Sequence, residues 1–238
     1  MNLKHFLLSS CLLITTAVSH AEIILNGTRV VYPSNSKEVS LQLNNNGSKP
    51  SLVQSWIDDG DPKSLPNQVK VPFIITPPIS RIEVNKGQTL RISALPNSNQ
   101  LSQTQETLFW LNVLDVPPRP NDGADVPENY LQFAIRSRIK LFYRPSHLKG
   151  DSATASTQLK WAKQANTLVI TNPSPFYVSM TTILQKDDIK TVDLLPKGLM
   201  IAPFSKETVQ LKLHNTSDMS FMTINDYGGR NQYPISFN

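Results

Sequence analysis

Asn129–Pro145 reads NYLQFAIRSRIKLFYRP. Its odd positions are Leu131, Phe133, Ile135, Ser137, Ile139, Leu141 and Tyr143. Its even positions are Tyr130, Gln132, Ala134, Arg136, Arg138, Lys140, Phe142 and Arg144. One parity is apolar apart from a single hydroxyl, and the other collects four cations. Side chains alternate across a strand, whereas a helix repeats every 3.6 residues, so the pattern predicts a β-strand. At roughly 3.3 Å per residue it would span about 50 Å, far beyond the usual five or six residues. A strand so long and so two-faced asks for a reason.

The rest of the chain follows the same style. Short alternating or β-branched runs are separated by Pro, Asn, Gly and Ser, and no segment shows capped helical periodicity. Before the quoted stretch they are Ile23–Tyr32, Glu38–Asn44, Ser51–Asp58, Val71–Ile75, Ser80–Val84, Gln88–Ser93 and Thr107–Val116. After it come Leu159–Ala162, Thr167–Thr171, Tyr177–Leu184, Lys190–Leu195, Glu207–His214, Met219–Ile224 and Gln232–Phe237. Thr107–Val116 is apolar on both faces, as a central strand should be. Seven or eight strands on each side of Pro145 predict an all-β protein of two sandwich domains. Glycine is scarce (9) and proline plentiful (18), which fits strand ends and edges and disfavours continuous helices.

Met1–Ala21 reads as a secretory signal peptide: Lys4, an apolar run from Phe6 to Val18, then Ser19-His20-Ala21 before cleavage after Ala21. The run is shorter than the ~20 residues needed to span a bilayer. Leu8-Ser9-Ser10-Cys11 resembles a lipoprotein box, but the apolar run continues past Cys11. Cys11 is the only cysteine, so the exported chain must fold on core burial alone, without disulfides. The 23 Lys and Arg against 18 Asp and Glu make a mild basic excess without dense runs, which argues against nucleic acid.

Beyond the leader only His147 and His214 remain as histidines, so clustered zinc or copper sites are excluded. Asp58, Asp59 and Asp61 around Gly60 lack the spacing and closing Glu of a calcium loop and read as a solvated turn. There is no glycine-rich phosphate loop and no nucleophile elbow. The residues describe a binding protein, not an enzyme, with no cofactor and no metal. Arg29 and Lys140 could be solvated edge charges. Brought together, they could also hold a carboxylate, Arg by bidentate hydrogen bonds and Lys as a point charge. Leu131, Phe133 and Ile135 could equally line their own core.

A series of motifs narrows these alternatives. In order they are GTRVVYP from Gly27, TPPISRIEVNKGQTLRIS from Thr76, QETLFWLNVLDVPP from Gln105, LQFAIRSRIKLFYRP from Leu131, TNPSPFYVS from Thr171 and INDYGGR from Ile224. Together they resemble the PapD-like periplasmic pilus (fimbrial) chaperones over nearly all of residues 22–238. Thr104 stands where the family's signature usually begins with Asp, Asn or Ser. The C-terminal disulfide of some relatives is absent, and the moderate loop before Asn129 resembles the short-loop subgroup serving rod-like pili.

The resemblance implies two immunoglobulin-like sandwiches in an L or boomerang, residues 22–145 and 146–238, with a cleft between them. It implies that Arg29 and Lys140 anchor the C-terminal carboxylate of a pilus subunit there. Residues 129–144 become a donor strand, whose Leu131, Phe133 and Ile135 fill the groove of an incomplete subunit sandwich. Ser137 is the expected changeover to the strand's own core. Glu106, Arg144 and Asp226 would form a charged network fixing the interdomain angle. Implied partners are pilus subunits and an outer-membrane usher, with self-association through the exposed edge. Rival readings are a structural pilus subunit or another secreted Ig-like adhesion module.

Overall fold

A computed structural model describes residues 23–119, 131–186, 191–212 and 218–237. The leader, and Asn129 and Tyr130 of the opening stretch, lie outside them. In chain order the first half holds β1 (Ile23–Leu25), β2 (Arg29–Pro33), β3 (Val39–Asn45), β4 (Ser51–Asp58), β5 (Phe73–Thr76), β6 (Ile79–Ile82), β7 (Gly87–Ala94), β8 (Thr107–Val116) and β9 (Ile135–Arg144). They form two sheets, ordered β1-β3-β7-β5 and β2-β9-β8-β4-β6. The second half holds β10 (Lys160–Gln164), β11 (Thr167–Thr171), β12 (Val178–Lys186), β13 (Thr191–Asp193), β14 (Leu199–Ile201), β15 (Lys206–Gln210), β16 (Asp218–Ile224) and β17 (Arg230–Pro234). Its sheets run β10-β11-β15 and β13-β12-β16-β17, with β14 also on β12. The two-sandwich, all-β expectation holds.

Each sandwich closes over its own core, because alternate residues of facing sheets point inward. The first core packs Tyr32, Leu43, Leu90, Ile92, Leu111 and Leu141. The second packs Leu168, Ile170, Ile183 and Ile201, with Trp161 against Phe221 at 4.8 Å. Each fully buried side chain of this kind contributes roughly 1.5–3 kcal/mol before ordering costs. Trp161 itself is buried in the second core.

Several expectations need correction. The single strand Ile23–Tyr32 is two strands on opposite sheets, because the chain crosses over at Asn26–Thr28. Ordered strand in the opening stretch begins only at Ile135, so the roughly 50 Å strand is not formed: Leu131–Ala134 are described but unpaired. β14 was not anticipated, nor was the single helical turn Ser152–Ala155. That turn is capped by Asp151, which accepts from the Ala153 N–H. Asp58 is not in a solvated turn: it ends β4 inside the protein, only 1 % exposed.

Candidate functional site

β9 has two different neighbours. Over Ile135–Tyr143 it pairs antiparallel with β8, from Asp115↔Ile135 to Thr107↔Tyr143. On its other side it pairs parallel with β2, but only from Arg29↔Lys140 to Pro33↔Arg144. Residues 135–139 therefore present an unpaired backbone edge among the described residues. Leu131, Phe133 and Ile135 lead into it at 85 %, 70 % and 53 % exposure. They do not line their own core. Ser137 and Ile139 are half-buried, and Leu141 and Tyr143 are buried, so burial along this face begins at Ser137.

The even face carries the charges. Arg138 lies over Trp110 at 4.1 Å and donates twice to Asp58, from Nη2 at 2.5 Å and Nε at 3.1 Å. Asp58 also accepts from Asn112 Nδ2 at 2.7 Å and from the Gly60 N–H at 2.8 Å. Burial works against this carboxylate, yet the donors from Arg138, Asn112 and Gly60 together hold it below its ordinary value. A lowered carboxylate adds stability that is present above its unfolded pKa, near 3.9, and lost as pH falls through the folded value. Asp58→Asn is expected to lower stability at neutral pH by about 2–3 kcal/mol, less than a wholly buried pair because Arg138 keeps some solvent. Urea unfolding should show that deficit shrinking as pH drops through the carboxylate range; a deficit independent of pH would mean the ion pair is not its source.

Arg29 and Lys140 stand side by side by register. Lys140 Nζ donates to Ser179 Oγ of β12 at 2.9 Å, and Arg29 Nη1 donates to the Ile224 carbonyl of β16 at 3.0 Å. Arg29 Nε is buried without a partner. Burial, then the neighbouring Arg29, lower Lys140 from 10.5 to about 8. Burial also lowers Arg29, with Asp226 opposing. Arg29 and Ser179 border a cavity of about 130 Å³ between the sandwiches, with Phe142, Tyr177 and Asp226 in its lining.

Arg144 ties the sandwiches together. Nε donates to Glu106 Oε1 at 2.6 Å, while Nη1 and Nη2 donate to Asp226 at 2.7 and 3.0 Å. Glu106, 2 % exposed, also accepts from the Tyr177 N–H at 2.7 Å. Burial raises Glu106, with Arg144 and that N–H pulling the other way; Asp226 ends below its ordinary value despite burial, held by Arg144. Phe142 packs on Tyr177 at 5.6 Å beside the network. Gly228 closes the seam: a Cβ there would sit 2.7 Å from Thr28 Oγ1, on a backbone with φ of +85°.

The structure thus brings Arg29 together with Lys140, and Glu106 with Arg144 and Asp226. Leu131, Phe133 and Ile135 stand apart, along the open edge. Sequence reasoning missed Asp58, Asn112, Ser179 and the Ile224 carbonyl. Each acts through a residue far along the chain, although Ser179 closes the quoted motif TNPSPFYVS.

An open edge ending at two unneutralised cations, on a pair of Ig-like sandwiches, defines a β-strand-binding protein. The chain belongs to the PapD pilus-assembly chaperone family. Residues 22–149 match the model of the pili and flagellar-assembly chaperone PapD N-terminal domain, and 154–235 the pili assembly chaperone PapD C-terminal domain. It is 42 % identical over 219 residues to the probable fimbrial chaperone YadV of Escherichia coli K12, covering 89 % of this chain and 88 % of that one. The Pseudomonas aeruginosa CupB2 chaperone structure matches with TM-score 0.76 and 37 % identity, over 90 % of this chain and all of the other. The SafB chaperone, solved in complex with the SafA pilin of Salmonella enterica, matches with TM-score 0.74 and 27 % identity, over 92 % of this chain and 99 % of that one. The family consists of chaperones, not enzymes.

Proposed function

We propose that this protein holds pilus subunits by lending them the open edge of β9, and delivers them to an outer-membrane usher. The observation that carries the reading is the edge at 135–139, flanked by exposed Leu131, Phe133 and Ile135 and terminated by Arg29 and Lys140. An added strand satisfies open backbone groups on both partners, and alternate side chains give specificity. The three apolar side chains contribute roughly 1.5–3 kcal/mol each on burial, before ordering costs. A one-residue slip would present Gln132 and Ala134 instead. A subunit carboxylate held at Arg29 and Lys140 prevents that slip. It also fixes direction: a strand lying along 131–139 and ending at Lys140 runs parallel to β9, as β2 does.

Residues 22–145 form the subunit-binding domain on this reading, and 146–238 the second. Glu106, Arg144 and Asp226 set the angle between them. Export follows from a leader cleaved after Ala21; no described helix is long and apolar enough to cross a membrane. The free edge also offers self-pairing between two copies, which a subunit would displace.

The test is periplasmic co-expression with candidate subunits. The wild type should co-purify a subunit, and a variant with Leu131, Phe133 and Ile135 all changed to Ser should lose at least nine-tenths of it. Its fold should persist, since these side chains are exposed. Undiminished capture by the triple variant would sink the donor-strand reading.

A further inference from the structure

Arg136, on the even face of β9, is exposed and donates to the Pro62 carbonyl; the half-buried cations of this face and of β2 are of two kinds. Arg138 is neutralised by Asp58, and Arg144 by Glu106 and Asp226. Arg29 and Lys140 meet only uncharged oxygens, the Ile224 carbonyl and the Ser179 hydroxyl. Among the described residues no ion pair includes either. Both oxygens belong to the second sandwich. Asp226 acts on Arg29 through space, but its oxygens are occupied by Arg144 and the Ser152 hydroxyl.

We infer that Ser179 is a positioning residue for carboxylate capture: its hydroxyl aims the Lys140 ammonium into place beside Arg29 without neutralising it. The inference rests on the anchor reading above. An ammonium has three N–H donors, so one bond to Ser179 leaves two for a ligand. A lysine stem is flexible, and restraining it before the ligand arrives removes an ordering cost from binding. A hydroxyl supplies this restraint and keeps the full positive charge. A carboxylate at the same place would make another closed pair, like Arg138 with Asp58. Ser179 is buried and held within β12, paired opposite Met200, so its position is set by a sheet rather than a loop. Because the donor lies on one sandwich and the acceptor on the other, docking of the sandwiches and capture of the carboxylate reinforce each other by the same factor.

The experiment uses the full exported chain and two probes: a synthetic peptide of alternating valine and threonine with a free C-terminal carboxylate, and the same peptide as its C-terminal amide. Calorimetry should give the wild type a preference for the acid of about 30-fold or more, as expected for truncating a hydrogen-bonded charge pair. Ser179→Ala should cut that preference by about tenfold, the scale of one hydrogen bond to a charged group, and leave affinity for the amide unchanged. Ser179→Thr should restore it, and Ser179→Asp should abolish it. A Ser179→Ala protein that keeps the full preference, or that loses acid and amide affinity alike, overturns the inference and leaves the anchor standing. A wild type that does not distinguish acid from amide, or binds neither, removes the anchor itself and the inference with it.

Discussion

Lys140→Ala and Arg29→Ala should each abolish recovery of a subunit complex from the periplasm while leaving the chaperone folded. The two cations are paired in register and have no carboxylate partner among the described residues. Truncating one member of a hydrogen-bonded charge pair at an interface costs about 2–5 kcal/mol, or roughly 30-fold to several thousand-fold in affinity. Neither truncation leaves a carboxylate stranded, so thermal unfolding should be unchanged or slightly raised.

The pH dependence gives the same site a second signature, with opposite signs for binding and stability. Lys140 is lowered to about 8, so the folded chain gives up this proton between about 8 and 10.5 while the unfolded chain keeps it. The unfolded state therefore binds more protons in that window, and this group makes stability rise with pH across it. Affinity for a carboxylate should fall over the same window, because the neutral amine has no charge to offer. Both trends should vanish in Lys140→Ala. Complex recovery by both variants at wild-type levels would remove the anchor; wild-type affinity flat from pH 7 to 10 would remove Lys140 from it.

The second large effect concerns Arg144. Its removal leaves Glu106 buried with only the Tyr177 N–H, and Asp226 with the Ser152 hydroxyl and the through-space charge of Arg29. Breaking a buried ion pair from one side costs about 3–5 kcal/mol, since the remaining charge stays unsolvated. Arg144→Ala and Glu106→Gln should each destabilise on that scale, and the double variant should lose much less than their sum. A cycle measured by urea unfolding should give a coupling of at least about 2 kcal/mol. Without Arg144, burial is left to raise Glu106 further. A raised carboxylate keeps its proton in the folded state, so the variant's stability should fall as pH rises above about 4. Coupling near zero would mean that Glu106 and Arg144 contribute independently and do not form a network. Small-angle scattering of Arg144→Ala addresses the geometric role: an unchanged profile would leave the network as a stability element only.

The sequence made the strands legible where local pattern and burial agree. Ser51–Asp58, Thr107–Val116 and Thr167–Thr171 have the expected bounds, because each is a central strand with turn residues at both ends. The parity of β9 was legible too, since alternation survives whatever pairs with it. Which partners it meets was not. β2 begins only at Arg29 because the chain changes sheets at Asn26–Thr28, and nothing in Ile23–Tyr32 marks that switch by periodicity. For the same reason alternation overstated the strand: Leu131–Ala134 keep the pattern, but no described strand pairs with them. Asp58 reads as solvated in the sequence because it sits with Asp59 and Asp61 around Gly60; its partner Arg138 lies eighty positions away. Arg29 and Lys140 came together through the family motif, not through spacing. Ser179 needed coordinates, because one serine in a sandwich strand carries no signal of what it faces.

β2 has one more consequence, for how a guest chain is measured. Its first residue, Arg29, stands in line with the vacant stretch beside 135–139, so a guest strand laid there meets β2 end to end. The slot works as a gauge with a closed end. On the proposed anchor reading, a guest would be accepted by where its chain stops as much as by what it contains, and additions at its carboxyl end would have nowhere to go, while its amino end would point away from the stop. An affinity tag on such a guest belongs at the amino terminus.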